Sequence, residues 1–425
     1  MNSNSARPLG SAPHSGANTM TTNTLKIFSL LALVTLLPTS VFYIFGTSSQ
    51  APGVAMVAVI ALGLAAIAFI KHPNTRQMLA ALIIIGMILI GIMSHGLIAY
   101  YFQALVFSRL IQSLLLFGLM LVGAYILRFA IFDNNDKALE TAIFGVFTVF
   151  VAIGVAAIIG IRPIDAVASS NPVFPFTEPS HYALTFTPIL LFICATRNLI
   201  LRLAVLLTAL TIAYLLESLS LVVGVLLVGL ITLPVAYLAI AGFGLTIAVG
   251  VLDITYFTDR LDLNYDSGNL SVLVYLQGWE LASDSVARTS GWGLGFQQLG
   301  FGPINSPTAD VVFRLAGNDS NLKDGGFTLA KGTSEFGAFG FIAILFYGLL
   351  AARAAWMLRA IALRKREATM AAVLAMSVIS GYMVEAFIRG IGYFSGSTMM
   401  LVAALVFING IRAKPGTKAN EFSPS

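Results

Sequence analysis

Long apolar runs separated by short polar breaks occupy most of the chain. Runs of about 20 apolar residues match the thickness of a bilayer when helical. They fall at 26–46, 52–70, 77–94, 110–130, 139–161, 181–196, 199–216, 219–236, 237–255, 333–352, 368–388 and 393–411. The pattern predicts an all-α polytopic integral membrane protein with about twelve transmembrane helices. An even number of spans leaves both termini on the same side. Three short helices are crowded into 199–255, where the spacing is tightest. One interval breaks the rhythm: 255–332 is polar and Gly-rich. The organisation expected is a disordered cytoplasmic tail over 1–24, helices 1–9 over 25–254, a large extracytoplasmic loop over 255–332, helices 10–12 over 333–412, and a second cytoplasmic tail over 413–425.

Composition agrees with a membrane protein. Charged residues make up 10% and apolar residues 58%, with mean hydropathy +0.89, against about 25% charged residues in soluble domains. The first apolar run has no small-residue cleavage site behind it and reads as an uncleaved signal-anchor. Net charge is +5, but sidedness carries more information than the sum. With the termini inside, most of the 24 basic residues fall inside, among them Lys26, Lys71, Arg128, Arg197, Arg202 and Arg359. The positive-inside rule thus puts the 255–332 loop outside the cell membrane, and most carboxylates fall on that outer side. No basic patch with interleaved aromatics supports nucleic-acid binding. The one cysteine, Cys194, excludes an internal disulfide.

Candidate chemistry lies on the outer side. In Phe174-Pro-Phe-Thr-Glu-Pro-Ser-His-Tyr182, Glu178 or Thr177 caps a helix whose first position is Pro179. The same helix end favours a phosphate, with Glu178 and His181 beside it as proton acceptors. Both readings stand at this level. Arg suits bidentate phosphate recognition, which makes Arg288, Arg314 and Arg389 candidate pyrophosphate ligands; solvation or snorkelling to lipid headgroups are the plain alternatives. Glu385 precedes Arg389 by one turn, as a second site residue or simply its ion-pair partner. The glycines of Gly291-Trp-Gly-Leu-Gly-Phe296 allow a sharp turn that would present Trp292 and Phe296 to a sugar ring. Glu217 is an ionisable residue between apolar runs, or part of a short turn. Arg260 reads as a solvated cation. His95 reads as an interfacial residue at the end of the third run. HExxH, Cys/His clusters and DxD are all absent from the sequence, so neither a tight metal site nor a cofactor is expected.

Four segments resemble Wzy-type O-antigen and capsular polysaccharide polymerases of the O-antigen polymerase/ligase superfamily. They are Phe176-Thr-Glu-Pro-Ser-His-Tyr-Ala-Leu184, Asn269 to Glu280 running on to Gly293-Leu-Gly-Phe296, Ser334-Glu-Phe-Gly337, and Val384-Glu-Ala-Phe-Ile-Arg-Gly-Ile-Gly-Tyr-Phe394. Their order spans about residues 170–400. The resemblance implies a GT-C-like, metal-independent glycosyltransferase in the bacterial inner membrane, with the large loop periplasmic. Its substrate would be a polyprenyl-pyrophosphate-linked oligosaccharide. The growing chain would move onto a fresh lipid-linked unit, without nucleotide. A chain-length regulator and a flippase are the partners it implies. Related O-antigen ligases commonly carry Arg where this chain has Tyr275, and a late loop His that it lacks. Ligase is the nearest alternative. A lipid-linked oligosaccharide flippase, from another class, would want ionisable groups near the midplane.

Overall fold

The computed structural model describes residues 15–103, 105–161, 172–251, 253, 255–265, 268–302, 306–317 and 325–412. Arg162, Asp266, Asp319, Lys323, Asp324 and the 413–425 tail lie outside them. The described residues are almost wholly helical, with one isolated backbone bridge between Val173 and Phe176. In chain order the helices are α1 (Ser15–Phe45), α2 (Ala51–Ala66), α3 (Thr75–Ala99), α4 (Phe107–Leu127), α5 (Asp136–Ile158), α6 (Pro179–Thr196), α7 (Leu199–Leu215), α8 (Leu219–Thr232) and α9 (Val235–Val251). They continue as α10 (Thr255–Leu261), α11 (Leu270–Arg288), α12 (Ala309–Ala316), α13 (Thr328–Ala362), α14 (Met370–Gly381), α15 (Met383–Phe387) and α16 (Gly396–Arg412).

Six stretches are long and apolar enough to cross a membrane: Thr21–Phe45, Thr75–Ala99, Phe107–Phe132, Asp136–Ile158, Thr328–Ala362 and Met370–Phe387. Shorter apolar helices include Ala51–Ala66, Leu199–Leu215, Leu219–Thr232 and Gly396–Gly410. The chain is an all-helical membrane protein. Every expected span coincides with a helix, but the ends differ where local chemistry decides. α1 begins at Ser15, so the polar stretch 15–24 is helical rather than a disordered tail. Extending an existing helix costs far less than nucleating one. α13 begins before its apolar run and continues ten residues past it. The eleventh run is interrupted at Tyr382, between α14 and α15.

The main core is a large apolar cluster that includes α6, whose residues from His181 to Ala195 are almost all buried, with small satellite clusters around α11 and the start of α13. Close crossings use small residues. A Cβ on Gly396 would sit 2.1 Å from the Val34 carbonyl, and one on Gly53 2.5 Å from Pro38. α3 lies at the periphery, with Leu79, Ile83, Ile84, Met87 and Ile90 exposed, as a lipid-facing helix requires.

Helix ends alternate between the two ends of the bundle. At one end, Lys26, where the apolar run of α1 begins, donates to the Phe69 carbonyl after α2, and Tyr125 near the end of α4 donates to Gln77 at the start of α3. Arg197 after α6 pairs with Glu140 in α5 at 2.9 Å. Arg202, 4% exposed, donates to the carbonyls of Arg197, Thr232 and Ala362, where α6, α8 and α13 finish. Its guanidinium satisfies carbonyls that helix termini leave orphaned and sits where three dipoles point negative. The opposite end carries the 255–332 segment.

Candidate active site

At the loop-bearing end, α6 starts from a tight turn in which the backbones of Val173 and Phe176 bond to each other. Phe176 packs on Phe150 and Tyr182, which fixes the approach to the helix. Pro179 takes the first helical position and Glu178 the N-cap, as expected. The Glu178 side chain, however, makes no cap bond. Its Oε2 accepts from the Ser180 hydroxyl at 2.8 Å and from Arg389 Nη2 at 3.2 Å. A carboxylate that finds a full cation nearby gains more than it would from helix N–H groups. His181 is buried, with Nδ1 2.9 Å from Thr177 Oγ1 and its ring tilted against Phe42. Burial pushes the Glu178 carboxyl up. The Arg389 guanidinium, then His181 and the Ser180 hydroxyl, outweigh that and hold it at about 2. Glu178 is therefore ionised and weakly basic while Arg389 stays in place.

Arg389 reaches Glu178 because the chain leaves the helix after Phe387. Gly390 N donates to the Gly326 carbonyl at 2.9 Å, laying 388–390 against the start of α13. Arg389 pairs with Glu178, and the helix end after Phe387 interrupts the continuous helix that an i, i+4 pair with Glu385, one of the two readings of that spacing, would need. Glu385 is 1% exposed and instead accepts from Ser395 Oγ at 3.1 Å and from Ser397 Oγ, at the start of α16. The structure thus brings Glu178, His181 and Arg389 together and keeps Glu385 behind them, tying α15 to α16.

Two elements border this cluster. Ser218, after the α7 end, donates to the Pro179 carbonyl at 3.2 Å, which places the Glu217 turn beside α6. In α10, Phe257 stacks on Tyr214, and Arg260 lies 4.3 Å above the Tyr256 ring. Burial raises the Tyr256 phenol; Arg260 opposes this, and the carboxylates of Glu217 and Glu178 add to it. Tyr256 is therefore within electrostatic reach of Glu178, the partner of Arg389. Arg260, expected to be a free surface cation, is half-buried on that rim. One turn deeper than His181, Thr185, Pro188, Tyr382, Ser397 and Met400 line an apolar cavity of about 40 Å³. That volume takes a few water-sized groups and no sugar ring.

The Gly-rich turn docks on α13. Leu294 N and Gly295 N donate to the carbonyls of Ser334 and Glu335, and Ala338 N donates to that of Gly291. α13 is interrupted at Gly337 (φ 58°, ψ −135°). A Cβ there would lie 2.0 Å from the Gly291 carbonyl oxygen, and one on Gly293 2.4 Å from Gly337 N. Trp292 stacks on His95 with rings 5.2 Å apart, and the two also exchange side chain to backbone hydrogen bonds. His95 is therefore the anchor of this turn. Phe296 is 2% exposed, enclosed by Phe117, Phe336, Tyr393 and Phe394, so it offers no open face to a sugar.

Arg109 of α4 holds the next residues. Its Nε donates to the Gln297 carbonyl at 2.7 Å and its plane covers Phe301. From the other side, Glu335, 1% exposed, accepts from Gln297 N at 2.9 Å, with Lys331 and Tyr393 as polar neighbours. Glu335 was not among the sequence-derived candidates. The available signal was a Lys331–Glu335 i, i+4 pair just before an apolar run.

Arg288 pairs with Asp284 at 2.5 Å along α11, and Arg314 is exposed in the last turn of α12. Among the described residues no recorded contact joins either to Glu178 or Arg389. Comparison with protein-family models and with curated proteins returns no match.

Proposed function

We propose that this chain is a metal-independent membrane glycosyltransferase that polymerises polyprenyl-pyrophosphate-linked oligosaccharide units at the outer face of the inner membrane. It has twelve spans, a GT-C-like arrangement, both termini cytoplasmic and the 255–332 loop periplasmic. The observation that carries this reading is the Glu178–Arg389 contact across 211 positions. It joins the two separate segments that resemble the polymerases, Glu178-Pro-Ser-His181 and Val384–Phe394. The site so formed sits at a membrane-bundle end and holds what glycosyl transfer from a lipid pyrophosphate needs. That is a carboxylate and an imidazole for proton movement, and an arginine for the charge that develops on the leaving pyrophosphate. Basic side chains gathered at the opposite end support the orientation. Arg288, Arg314 and Trp292 have a secondary part, at the loop's own surface or through a closure of the loop on substrate. The chain-length regulator and flippase are the partners this activity would use.

The test is the length distribution of surface polysaccharide in a strain lacking the gene, and in the same strain complemented with Arg389→Ala or His181→Ala. A ladder collapsing to lipid-anchored single repeat units, unrestored by the well-expressed variants, is the expected result. A ladder that persists on carrier lipid but never reaches its final anchor would make the protein a ligase. Loss of every outer-leaflet product would make it a flippase.

A further inference from the structure

We propose that the Glu178–Arg389 ion pair is a latch displaced by substrate: a pyrophosphate group takes the Arg389 guanidinium, and the freed Glu178 carboxylate accepts the proton of the acceptor sugar hydroxyl. This rests on the reading of the site as one of glycosyl transfer. Three features make the pair displaceable. It is a single contact, Nη2 to Oε2 at 3.2 Å, longer than the 2.7–2.9 Å or so of a strong charge-assisted bond. Both side chains keep a route to solvent, with Glu178 42% and Arg389 20% exposed. Finally, Ser180 already holds the same Oε2, so the carboxylate retains a partner when the guanidinium is taken.

A pyrophosphate offers the guanidinium two oxygens and more charge, and so outcompetes one carboxylate oxygen. Glu178 is weakly basic while Arg389 faces it. Once Arg389 is neutralised by the ligand's negative charge, the carboxylate becomes a better base. Among the described residues its remaining titratable neighbours are His181 on α6 and Tyr256 on α10, and Tyr256 in turn faces Arg260 and Glu217. The step balances. The acceptor O–H bond gives its proton to Glu178, and the oxygen forms a bond to the anomeric carbon. The anomeric C–O bond to pyrophosphate breaks with its electron pair, leaving a pyrophosphate anion against Arg389. The proton then passes from Glu178 to that anion or to water. Free enzyme is in this way kept from activating water before a donor has bound.

The experiment measures inorganic pyrophosphate binding and joining of lipid-linked units by the full-length chain in lipid nanodiscs. Glu178→Gln removes the internal competitor, so pyrophosphate should bind about fivefold tighter while joining is lost. Glu178→Asp, which keeps the charge but shortens its reach, should also bind tighter and keep part of the joining activity. Arg389→Ala should lose pyrophosphate binding. Weaker or unchanged pyrophosphate binding by Glu178→Gln, in protein whose thermal midpoint matches wild type, overturns the latch even if wild type polymerises. Failure of wild type to join lipid-linked units overturns the glycosyl-transfer reading and the proton step with it, whatever the affinities.

Discussion

Glu178 and Arg202 show how one charged side chain acts at each end of this bundle. The Glu178 carboxyl stands at about 2, below its ordinary 4.5. A lowered folded-state value means the pairing stabilises fully above about pH 4.5 and is lost as pH falls towards 2. The thermal midpoint of wild type should therefore drop more steeply than that of Glu178→Gln between pH 5 and 3 in detergent micelles. Equal slopes would mean the carboxylate gains nothing from Arg389. Arg202 donates to the ends of three helices. Arg202→Met should cost about 1–3 kcal/mol for each buried carbonyl left without a donor. The reading is a lowered unfolding temperature of the solubilised protein. Arg202→Lys should restore only part of it, because an ammonium lacks the planar fork.

At the scale of elements, the break in α13 lets the loop and the bundle grip each other. Residues 328–336 and 338–362 form two helical stretches, and Gly337 between them adopts backbone angles that only glycine tolerates. The freed carbonyls of Ser334 and Glu335 take the N–H groups of Leu294 and Gly295. Gly337→Ala places a Cβ 2.0 Å from the Gly291 carbonyl oxygen, and the turn should undock. Limited proteolysis should then cut within 289–300 while the membrane helices stay intact, and polymer formation should stop. Gly291→Ala meets no atom within 4 Å and carries only its positive φ, about 1–2 kcal/mol. It should be much milder; similar damage from both substitutions would argue against docking through Gly337. The interruption at Tyr382 works in a related way. It starts the short α15, whose end after Phe387 lets Arg389 reach Glu178 while Glu385 remains buried at α16.

For the whole molecule, the helix ends make a prediction of topology. Contacts between helices put the beginning of α1's apolar run and the starts of α3, α5 and α14 at the same end as the finishes of α2, α4, α6, α8 and α13. With Cys194 buried, a background of Cys194→Ala allows single-cysteine labelling. Arg314→Cys in the loop should react with an impermeant maleimide in cells whose outer barrier is opened, and Lys365→Cys only after the inner membrane is broken. The reverse pattern would invert the proposed orientation and move the site to the cytoplasm.

Hydrophobic runs were enough to fix, from the sequence alone, a helical membrane protein with one polar insertion and where its apolar helices fall, though not how far α1 and α13 extend beyond their apolar runs. Such signals are local: each residue's transfer free energy acts on its own segment, and Pro179 acts within its own. The residue types of the site were also legible at Glu178, His181 and Arg389. What the sequence could not hold was partnership. Arg389 was one turn from Glu385 and 211 positions from Glu178, yet it pairs with the distant one because the helix stops between the near ones. Phe296 looked free to stack on sugar and is sealed by four aromatic rings. Glu335 lay in one of the resembling segments with no role assigned, and proves to hold the Gly-rich turn. Ion pairs and burial at these positions depend on which helix ends meet, and packing of the entire bundle decides that.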